Sequence, residues 1–304
     1  MKHDWARREF FGLAAMAVAR LALGGEPQPD TGPSQRSRKS NDWTIGCFNR
    51  PWGRWTYDEA LRGIQSAGFR VTGLLGDHAN EQFILPEAGR EYLHALKQRI
   101  ESSGLSINLA FLRTNYQKPF KEVIRTTRTQ IDNATKLGVR FLLATGADRP
   151  DAVEHSYRVL ADSAEYAADR KIQIVLKPHG GSLATANDML RCIKHVDHPN
   201  LRIWYDAGNI IHYTGADPVA DVEQVASYVT GFCAKDCATK KGDVMIQFGK
   251  GNVDFHGVFR KLKQAKFQGP VMIECCAGRS WDEVTDSARN NRLFLEQLFT
   301  SLGS

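Results

Sequence analysis

The architecture of the chain is most visible in the segment "IQIVLKPHGGSLATANDMLRCIKHVDHPNLRIWYD", residues 172–206. A short apolar run at 172–177 is followed by a helix-like pattern at 185–196 and by a second apolar run at 201–206. Two buried strands separated by a helix are typical of a parallel sheet that is covered by helices. The polar residues Lys177 and His179 directly follow the first strand, so they are candidates for a functional site.

The same alternation repeats from Asp42 onward and gives about eight β/α units. Gly68, Gly104 and Gly138 stand between a helical pattern and the next strand, where a left-handed glycine commonly ends a helix. An open doubly wound sheet shares this alternation, but eight units in about 260 residues match the size of a (β/α)8 barrel. We therefore predict a single-domain α/β protein, with a (β/α)8 TIM barrel at residues 42–304.

Composition narrows the classes of partner. The 304 residues are 42% hydrophobic and 24% charged, as expected for a globular chain with a large core. The formal net charge is +6, but several basic residues lie in the first forty positions, and no dense run of Lys and Arg with aromatics follows. Nucleic acid is therefore not an expected partner. The body contains no apolar run of 18 or more residues, so the sequence predicts no membrane-spanning helix there. The six cysteines are too sparse for a disulfide scaffold, so we predict buried free thiols.

The first 25 residues have the layout of a bacterial export signal. Arg7 and Arg8 precede two phenylalanines and a short, weakly apolar run that ends in small residues, an order that resembles a twin-arginine signal. An amphipathic or disordered leader is the alternative. We predict an export signal at 1–25, a linker at 26–41, and a periplasmic or cell-surface location.

The predicted barrel indicates where chemistry should lie, because active sites of such barrels gather at the carboxyl ends of the strands. Polar residues follow most of the predicted strands in this sequence. They include Asn49, Arg50, Asp77, His78, Arg113, Lys177, His179, Asp206, Asn209, His212, Lys235, Asp236 and Glu274.

Five motifs in the second half resemble the xylose-isomerase-like barrels, the sugar phosphate isomerase/epimerase superfamily. The motifs, in chain order, are "LKPHGG", "WYDAGNIIHYTG", "FCAKD", "FGKGNVDF" and "MIEC". The resemblance implies a divalent metal (Mn, Mg, Co or Zn) held by a Glu, an Asp, a His and a Glu on strands five to eight. It also implies that the two glutamates move protons at the carbon next to a carbonyl.

Only two of these four ligands match. Asp206 and Glu274 stand where the resemblance places an Asp and a Glu, whereas Lys177 replaces the first Glu and Cys233 replaces the His. An ammonium beside a divalent cation is repelled by several kcal/mol at low effective dielectric. Two outcomes stay open: Lys177 substitutes for the charge of the metal, or a metal survives on His179, Asp206 and Glu274, with Cys233, water or substrate completing the shell.

These residues lead to a functional hypothesis. We predict an isomerase-like or epimerase-like enzyme on a small carbohydrate, with Glu274, Lys177 and His179 as catalytic residues. The predicted substrate-binding residues are Asn209, His212, Lys235, Asp236 and Trp52. The alternatives are a lyase or dehydratase on an oxidised keto-sugar, and a non-catalytic sugar-binding barrel. The sequence leaves the oligomeric state open, a homo-oligomer included.

Overall fold

The computed structural model describes residues 43–303. The predicted export signal at 1–25 and the predicted linker at 26–41 lie outside the described residues.

Within residues 43–303 the eight predicted strands form a closed barrel in which each strand pairs in parallel with its neighbours in sequence, and β8 pairs with β1. This closure confirms the (β/α)8 prediction and excludes the open doubly wound sheet. The strands β1 to β8 are Ile45–Phe48, Val71–Leu74, Ser106–Phe111, Phe141–Ala144, Gln173–Leu176, Leu201–Tyr205, Val229–Ala234 and Val271–Ile273.

Helices connect successive strands around the outside of the barrel. Gly138 adopts a left-handed conformation with φ of 78° and ends the helix that precedes β4, as predicted. The helices α1 to α9 in the described part of the chain are Tyr57–Ser66, Arg90–Ser102, Phe120–Leu137, Val153–Ala168, Ala186–Val196, Ala207–Thr214, Pro218–Val225, Phe255–Gln264 and Trp281–Ser301.

Helix α6 is a short helix that directly follows β6 and precedes α7. Residues 207–214 are helical although Gly208 lies in the first turn. The Asp206 side chain accepts a hydrogen bond from Asn209 N at the start of α6, and left-handed Gly215 ends it. The helix therefore begins directly at the end of β6.

An apolar layer fills the inside of the barrel. Seven strands each contribute one fully buried side chain to it, and on β2 Gly73 leaves room for the ring of Phe48. These side chains are Phe48, Leu109, Leu143, Val175, Trp204, Cys233 and Met272. A barrel interior packed in this way is a core and not a channel.

Charged residues lie directly above this apolar layer, at the carboxyl ends of β5, β6, β7 and β8. Side chains alternate between the two faces of a strand, so a residue two positions further along points to the same side. Lys177 follows Val175 by two positions, and the same spacing relates Asp206 to Trp204, Lys235 to Cys233 and Glu274 to Met272. The sheet register thus places four ionisable groups on top of the apolar layer.

A second apolar layer lies between the barrel and its helices, and all six cysteines are free and buried, as predicted. None of the helices in residues 43–303 combines the length and hydrophobicity that a membrane crossing requires.

Candidate active site

Four buried groups form a lysine–carboxylate cluster at the barrel mouth, consisting of Lys177, Lys235, Asp206 and Glu274. No member is more than 3% exposed. Lys177 Nζ forms a close ion pair with Glu274 Oε2 and lies 3.1 Å from Asp206 Oδ2. Lys235 Nζ lies 2.6 Å from Glu274 Oε1 and 3.4 Å from Asp206 Oδ2. Each ammonium therefore contacts both carboxylates.

Arg50 extends this cluster towards solvent. Its Nη1 lies 3.6 Å from Glu274 Oε1 and also contacts the Cys275 thiol, while 37% of the side chain stays exposed. Glu274 consequently faces three cations. Sequence reasoning noted Arg50 at a strand end without assigning it to the site. The available signal was its spacing, two positions after the inward-facing Phe48.

The mutual contacts fix the charge of the cluster. Burial by itself would raise the pKa of Glu274, but Lys177, Lys235 and Arg50 lower it below its ordinary range. Burial opposes the charged form of Lys235, yet Asp206 and Glu274 raise its pKa well above the ordinary value. The pKa of Lys177 is also raised, chiefly because Glu274 outweighs the effect of burial. Glu274 is therefore an ionised, weakly basic carboxylate, and both lysines are protonated at neutral pH.

Asp206 connects the cluster to the backbone. Its Oδ1 accepts a 2.9 Å hydrogen bond from Asn209 N as the cap of α6, and its Oδ2 points to the two ammonium groups. Burial raises the pKa of Asp206 against the opposing effect of both lysines. Asp206 therefore caps α6 and belongs to the cluster at the same time.

His179 lies at the solvent-exposed rim beside the cluster. Its Nε2 is 3.2 Å from the hydroxyl of Tyr213, and the two ring centroids are 5.1 Å apart. Desolvation, together with the positive charges of Lys177 and Lys235, lowers the pKa of His179 to about 4. Its imidazole is therefore neutral at neutral pH and can accept a proton.

Lys235 and Asp236, both predicted to bind substrate, point in different directions. Asp236 is fully buried, and its carboxylate accepts hydrogen bonds from the backbone N–H groups of residues 237, 249, 251 and 253 at 2.8–3.2 Å. This commitment to the backbone corrects the expectation that Asp236 binds substrate. The Lys235 side chain instead packs directly on Gly208. A Cβ added at position 208 would lie only 2.4 Å from Lys235 Cγ.

Trp52 also differs from its predicted role. The indole is fully buried, packs directly on Gly63, and donates a 3.2 Å hydrogen bond from Nε1 to Thr285 Oγ1. A buried tryptophan commonly satisfies its N–H in this way. The burial corrects the expectation that Trp52 contacts a sugar.

Asn209 and His212 lie on α6 near the mouth and support the loops around it. Asn209 Nδ2 donates a 2.7 Å hydrogen bond to Pro178 O, which fixes the turn between Lys177 and His179. His212 Nδ1 lies 2.9 Å from Gly242 O, and the ring packs edge-on against Tyr213. Their contact with substrate stays a prediction.

The predicted metal shell does not fit this geometry. Within the described residues, Asp206, Cys233 and Glu274 place one potential ligand atom each within 4.8 Å of one another, and His179 is not part of that group. The thiol of Cys233 belongs to the apolar layer below the cluster, and burial raises its pKa well above the ordinary value. It is therefore a neutral thiol, whereas a metal-bound cysteine is a thiolate.

The charges of the site also disfavour a divalent metal ion. Both carboxylates that would bind the ion are already in contact with Lys177 and Lys235. A divalent cation about 4 Å from one ammonium would be repelled by about 8 kcal/mol at an effective dielectric constant of about 20. The residues present therefore suit a pair of ammonium groups and not a divalent metal.

Fold and site together define a (β/α)8 barrel with a buried ionisable cluster at the carboxyl ends of its strands, which is where barrel enzymes place their chemistry. Residues 61–298 match the family described as xylose isomerase-like TIM barrel, and the chain belongs to that family.

Comparison with individual proteins agrees with this assignment. The L-ribulose-5-phosphate 3-epimerase UlaE of Shigella boydii serotype 18 is 24% identical over 247 residues, which cover 75% of this chain and 83% of the relative. The crystal structure of a D-tagatose 3-epimerase-like protein has a TM-score of 0.70 at 17% identity and covers 86% of this chain and 98% of its own. A xylose isomerase-like TIM barrel protein from Mycobacterium smegmatis, solved with magnesium, has a TM-score of 0.71 at 16% identity, with 85% and 97% covered. At these identities the two structures show a shared fold.

Proposed function

We propose that this protein is a sugar epimerase or isomerase that moves a proton at a carbon next to a carbonyl group. The observation that carries the proposal is the lysine–carboxylate cluster, which places two ammonium groups and an ionised carboxylate in one buried site at the barrel mouth. The family assignment and the 3-epimerase relative support the same reaction class.

Lys177 and Lys235 are the groups that bind and polarise the carbonyl group of the sugar. Lys177 and Lys235 donate hydrogen bonds to the carbonyl oxygen of the sugar and stabilise the negative charge that develops on it in the enolate. This stabilisation acidifies the neighbouring C–H, which is necessary because Glu274 is a weak base here.

Glu274 and His179 are the proposed proton-transfer groups. Glu274 is an ionised carboxylate, and a carboxylate that accepts two hydrogen bonds still has lone pairs for a proton. His179 is neutral above pH about 4 and lies at the open side of the mouth. Glu274 removes a proton from one face of the carbon, and His179, after taking a proton from solvent at the rim, returns a proton to the opposite face and inverts that carbon, while the proton on Glu274 passes to solvent. Return of the first proton by Glu274 to the former carbonyl carbon, with transfer of the enediol hydroxyl proton to the former carbonyl oxygen, gives the isomer instead.

Solvent-exchange measurements test this proposal. The purified chain is incubated in D2O with free and 5-phosphorylated ketopentoses and ketohexoses, and recovered sugars are analysed by NMR. We expect deuterium at the carbon next to the carbonyl together with a new epimer or isomer, and we expect Glu274→Gln to lose about 100-fold or more in rate. Binding of sugar without deuterium incorporation would overturn the proposal in favour of a sugar-binding barrel.

Loss of water from an oxidised keto-sugar is the second candidate. It is favoured by Lys177 at the end of β5, because an ammonium can protonate a departing hydroxyl group, which a carboxylate base cannot. Mass spectrometry of the same reactions distinguishes the two, since elimination removes the mass of one water and epimerisation conserves mass.

We also propose that residues 1–25 direct export, with Arg7 and Arg8 as the essential pair, so that the mature barrel acts in the periplasm or at the cell surface. Fusion of residues 1–41 to a reporter, with Arg7→Lys and Arg8→Lys together as the comparison, tests this. Retention of export in the double variant would exclude a twin-arginine route.

Light scattering of the purified chain tests for a homo-oligomer.

A further inference from the structure

We propose that Lys177 and Lys235 take the place of a divalent metal ion in this barrel, so that the site works without bound metal. The chemical role of the lysines rests on the function proposed above. The statement about metal binding rests on geometry alone and is tested separately.

The two lysines lie close to both carboxylates of the cluster. Lys177 follows β5 and Lys235 follows β7, the two neighbours of β6, so the two side chains approach Asp206 at the end of β6 from both sides. Strand β7 also pairs with β8, which ends next to Glu274. Each Nζ lies within ion-pair distance of both carboxylates, which gives four contacts among four groups. The space between the carboxylates, where an ion would have to bind, is thus occupied by the two ammonium groups.

The side chains of the site supply positive charge without a metal ion. Lys177, Lys235 and Arg50 face the two carboxylates of Asp206 and Glu274, so this group of five side chains has a formal net charge of +1. A metal shell of carboxylates is negative before the ion binds and is neutralised by it. Here the protein itself already supplies the positive charge that a metal would bring.

The two ammonium groups keep hydrogen-bond donors for a ligand. An ammonium group has three donors. Each lysine donates one hydrogen bond, to Glu274, and lies at ion-pair distance from Asp206, so at least one donor of Lys177 and one of Lys235 stay available to a ligand. Two donors held by buried carboxylates at one site have the arrangement that stabilises an oxyanion. Lys235 is therefore a catalytic residue with the same role as Lys177, the stabilisation of the enolate oxygen.

The experiment measures metal first and activity second. The full chain is dialysed against a chelator, and its Mn, Mg, Co and Zn contents are determined by elemental analysis before and after re-addition of each ion. We expect less than about 0.1 ion per chain after dialysis, whereas a structural metal is held at close to one. Calorimetric titration with Mn²⁺ is expected to show no saturable binding.

Lys177→Glu is the gain-of-binding variant, because it places a third carboxylate beside Asp206 and Glu274. We expect it to bind Mn²⁺ at least about tenfold more tightly than the wild type, since the change removes a repelling cation and adds an oxygen ligand. Lys121→Glu makes the same charge change at an exposed position of α3 and is expected to gain nothing. Circular dichroism checks that both variants are folded.

Stoichiometric metal in the dialysed wild type, or wild-type Mn²⁺ affinity equal to that of a folded Lys177→Glu variant, would overturn the inference. Once a sugar substrate is found, Lys177→Met and Lys235→Met should each lose about 100-fold or more, and the wild type should be insensitive to chelator. If no sugar reacts, the proposed function fails while the metal measurements stand; if an active enzyme proves to hold metal, the inference fails and the function stands.

Discussion

Lys177 at the end of β5 and Glu274 at the end of β8 are 97 residues apart in the sequence, and their charged groups form an ion pair across the barrel mouth. In the family that this chain resembles, a carboxylate is expected at the position of Lys177 and a metal beside Glu274. A single substitution of this kind would leave an ammonium next to a cation. In this protein Lys235 and Arg50 also contact Glu274. Their positive charges, together with that of Lys177, compensate the carboxylate in place of a metal ion.

Removing the charge of Glu274 should affect both stability and activity. Glu274→Gln leaves two buried ammonium groups with one carboxylate between them, and loss of one partner from a buried ion pair typically costs about 3–5 kcal/mol. Urea denaturation of the variant should show that decrease in the free energy of unfolding. Glu101→Gln, at an exposed position of α2, is the matched control and should stay within about 0.5 kcal/mol of the wild type. Equal stability of the two variants would contradict the ion-pair network.

The neutral state of His179 should depend on its cationic neighbours. Lys177 is one of the groups that lower the pKa of His179 to about 4, so Lys177→Met should raise that pKa towards 6.5. NMR titration of the imidazole C–H resonances in the two proteins measures the change, with Lys121→Met as the control. An unchanged pKa would show that Lys177 does not act on His179.

The same shift has a consequence for stability. Because the pKa of His179 is lower in the folded state than in the unfolded state, the unfolded chain binds an extra proton between pH about 6.5 and 4. Stability from this residue is therefore complete above pH about 6.5 and is lost as the pH falls to about 4. His179→Gln should flatten that part of the stability profile measured by urea denaturation, and a profile with the wild-type slope would contradict this assignment.

Asp236 should matter for stability through the loop that it anchors. Asp236→Asn replaces one acceptor oxygen by an NH2 group, and Oδ2 accepts from both Gly249 N and Gly251 N. Leaving buried donors without an acceptor should cost about 2–4 kcal/mol. Hydrogen exchange at Gly249 and Gly251 should accelerate, while Asp282→Asn at an exposed position should change neither quantity. Slow exchange in Asp236→Asn would show that the carboxylate does not hold this loop.

The barrel was predictable because every level of the sequence agrees on it. Eight apolar runs, the intervening helical patterns and the glycine stops such as Gly138 all indicate the same alternation. Helix α6 is hard to detect in the sequence because Gly208 weakens the helical pattern, and its N-terminal cap, Asp206, is also a residue of the site. Placement at the carboxyl ends of the strands correctly grouped Lys177, Asp206 and Glu274.

Side-chain direction beyond the strand ends was much harder to predict. Trp52 and Arg50 belong to the same short turn after β1, yet Trp52 enters the outer core and Arg50 reaches Glu274. Lys235 and Asp236 are adjacent and point apart, because successive residues of an extended chain alternate in direction. Contacts of this kind depend on the neighbouring elements, which the local sequence does not encode.

Trp52 should therefore act on stability and not on substrate affinity. Trp52→Phe removes the hydrogen bond to Thr285 and leaves space next to Gly63, at a cost of about 1–3 kcal/mol. Thermal unfolding should show a lower midpoint, whereas KM for the sugar should be unchanged. A raised KM at unchanged stability would restore the original expectation of a sugar contact.

Gly208 offers a test of the position of Lys235 that changes no charge. In Gly208→Ala the new Cβ would lie 2.4 Å from Lys235 Cγ and 2.8 Å from Lys235 O, so the lysine must move. Alanine is about 1 kcal/mol more favourable than glycine within a helix, which partly offsets the destabilisation of the clash. We expect kcat/KM to fall about tenfold or more while the protein stays folded, because a displaced ammonium stabilises the enolate less. Gly89→Ala is the matched control, since a Cβ there meets nothing within 4 Å. Full activity of Gly208→Ala with sugar would mean that the position of Lys235 is unimportant for the reaction.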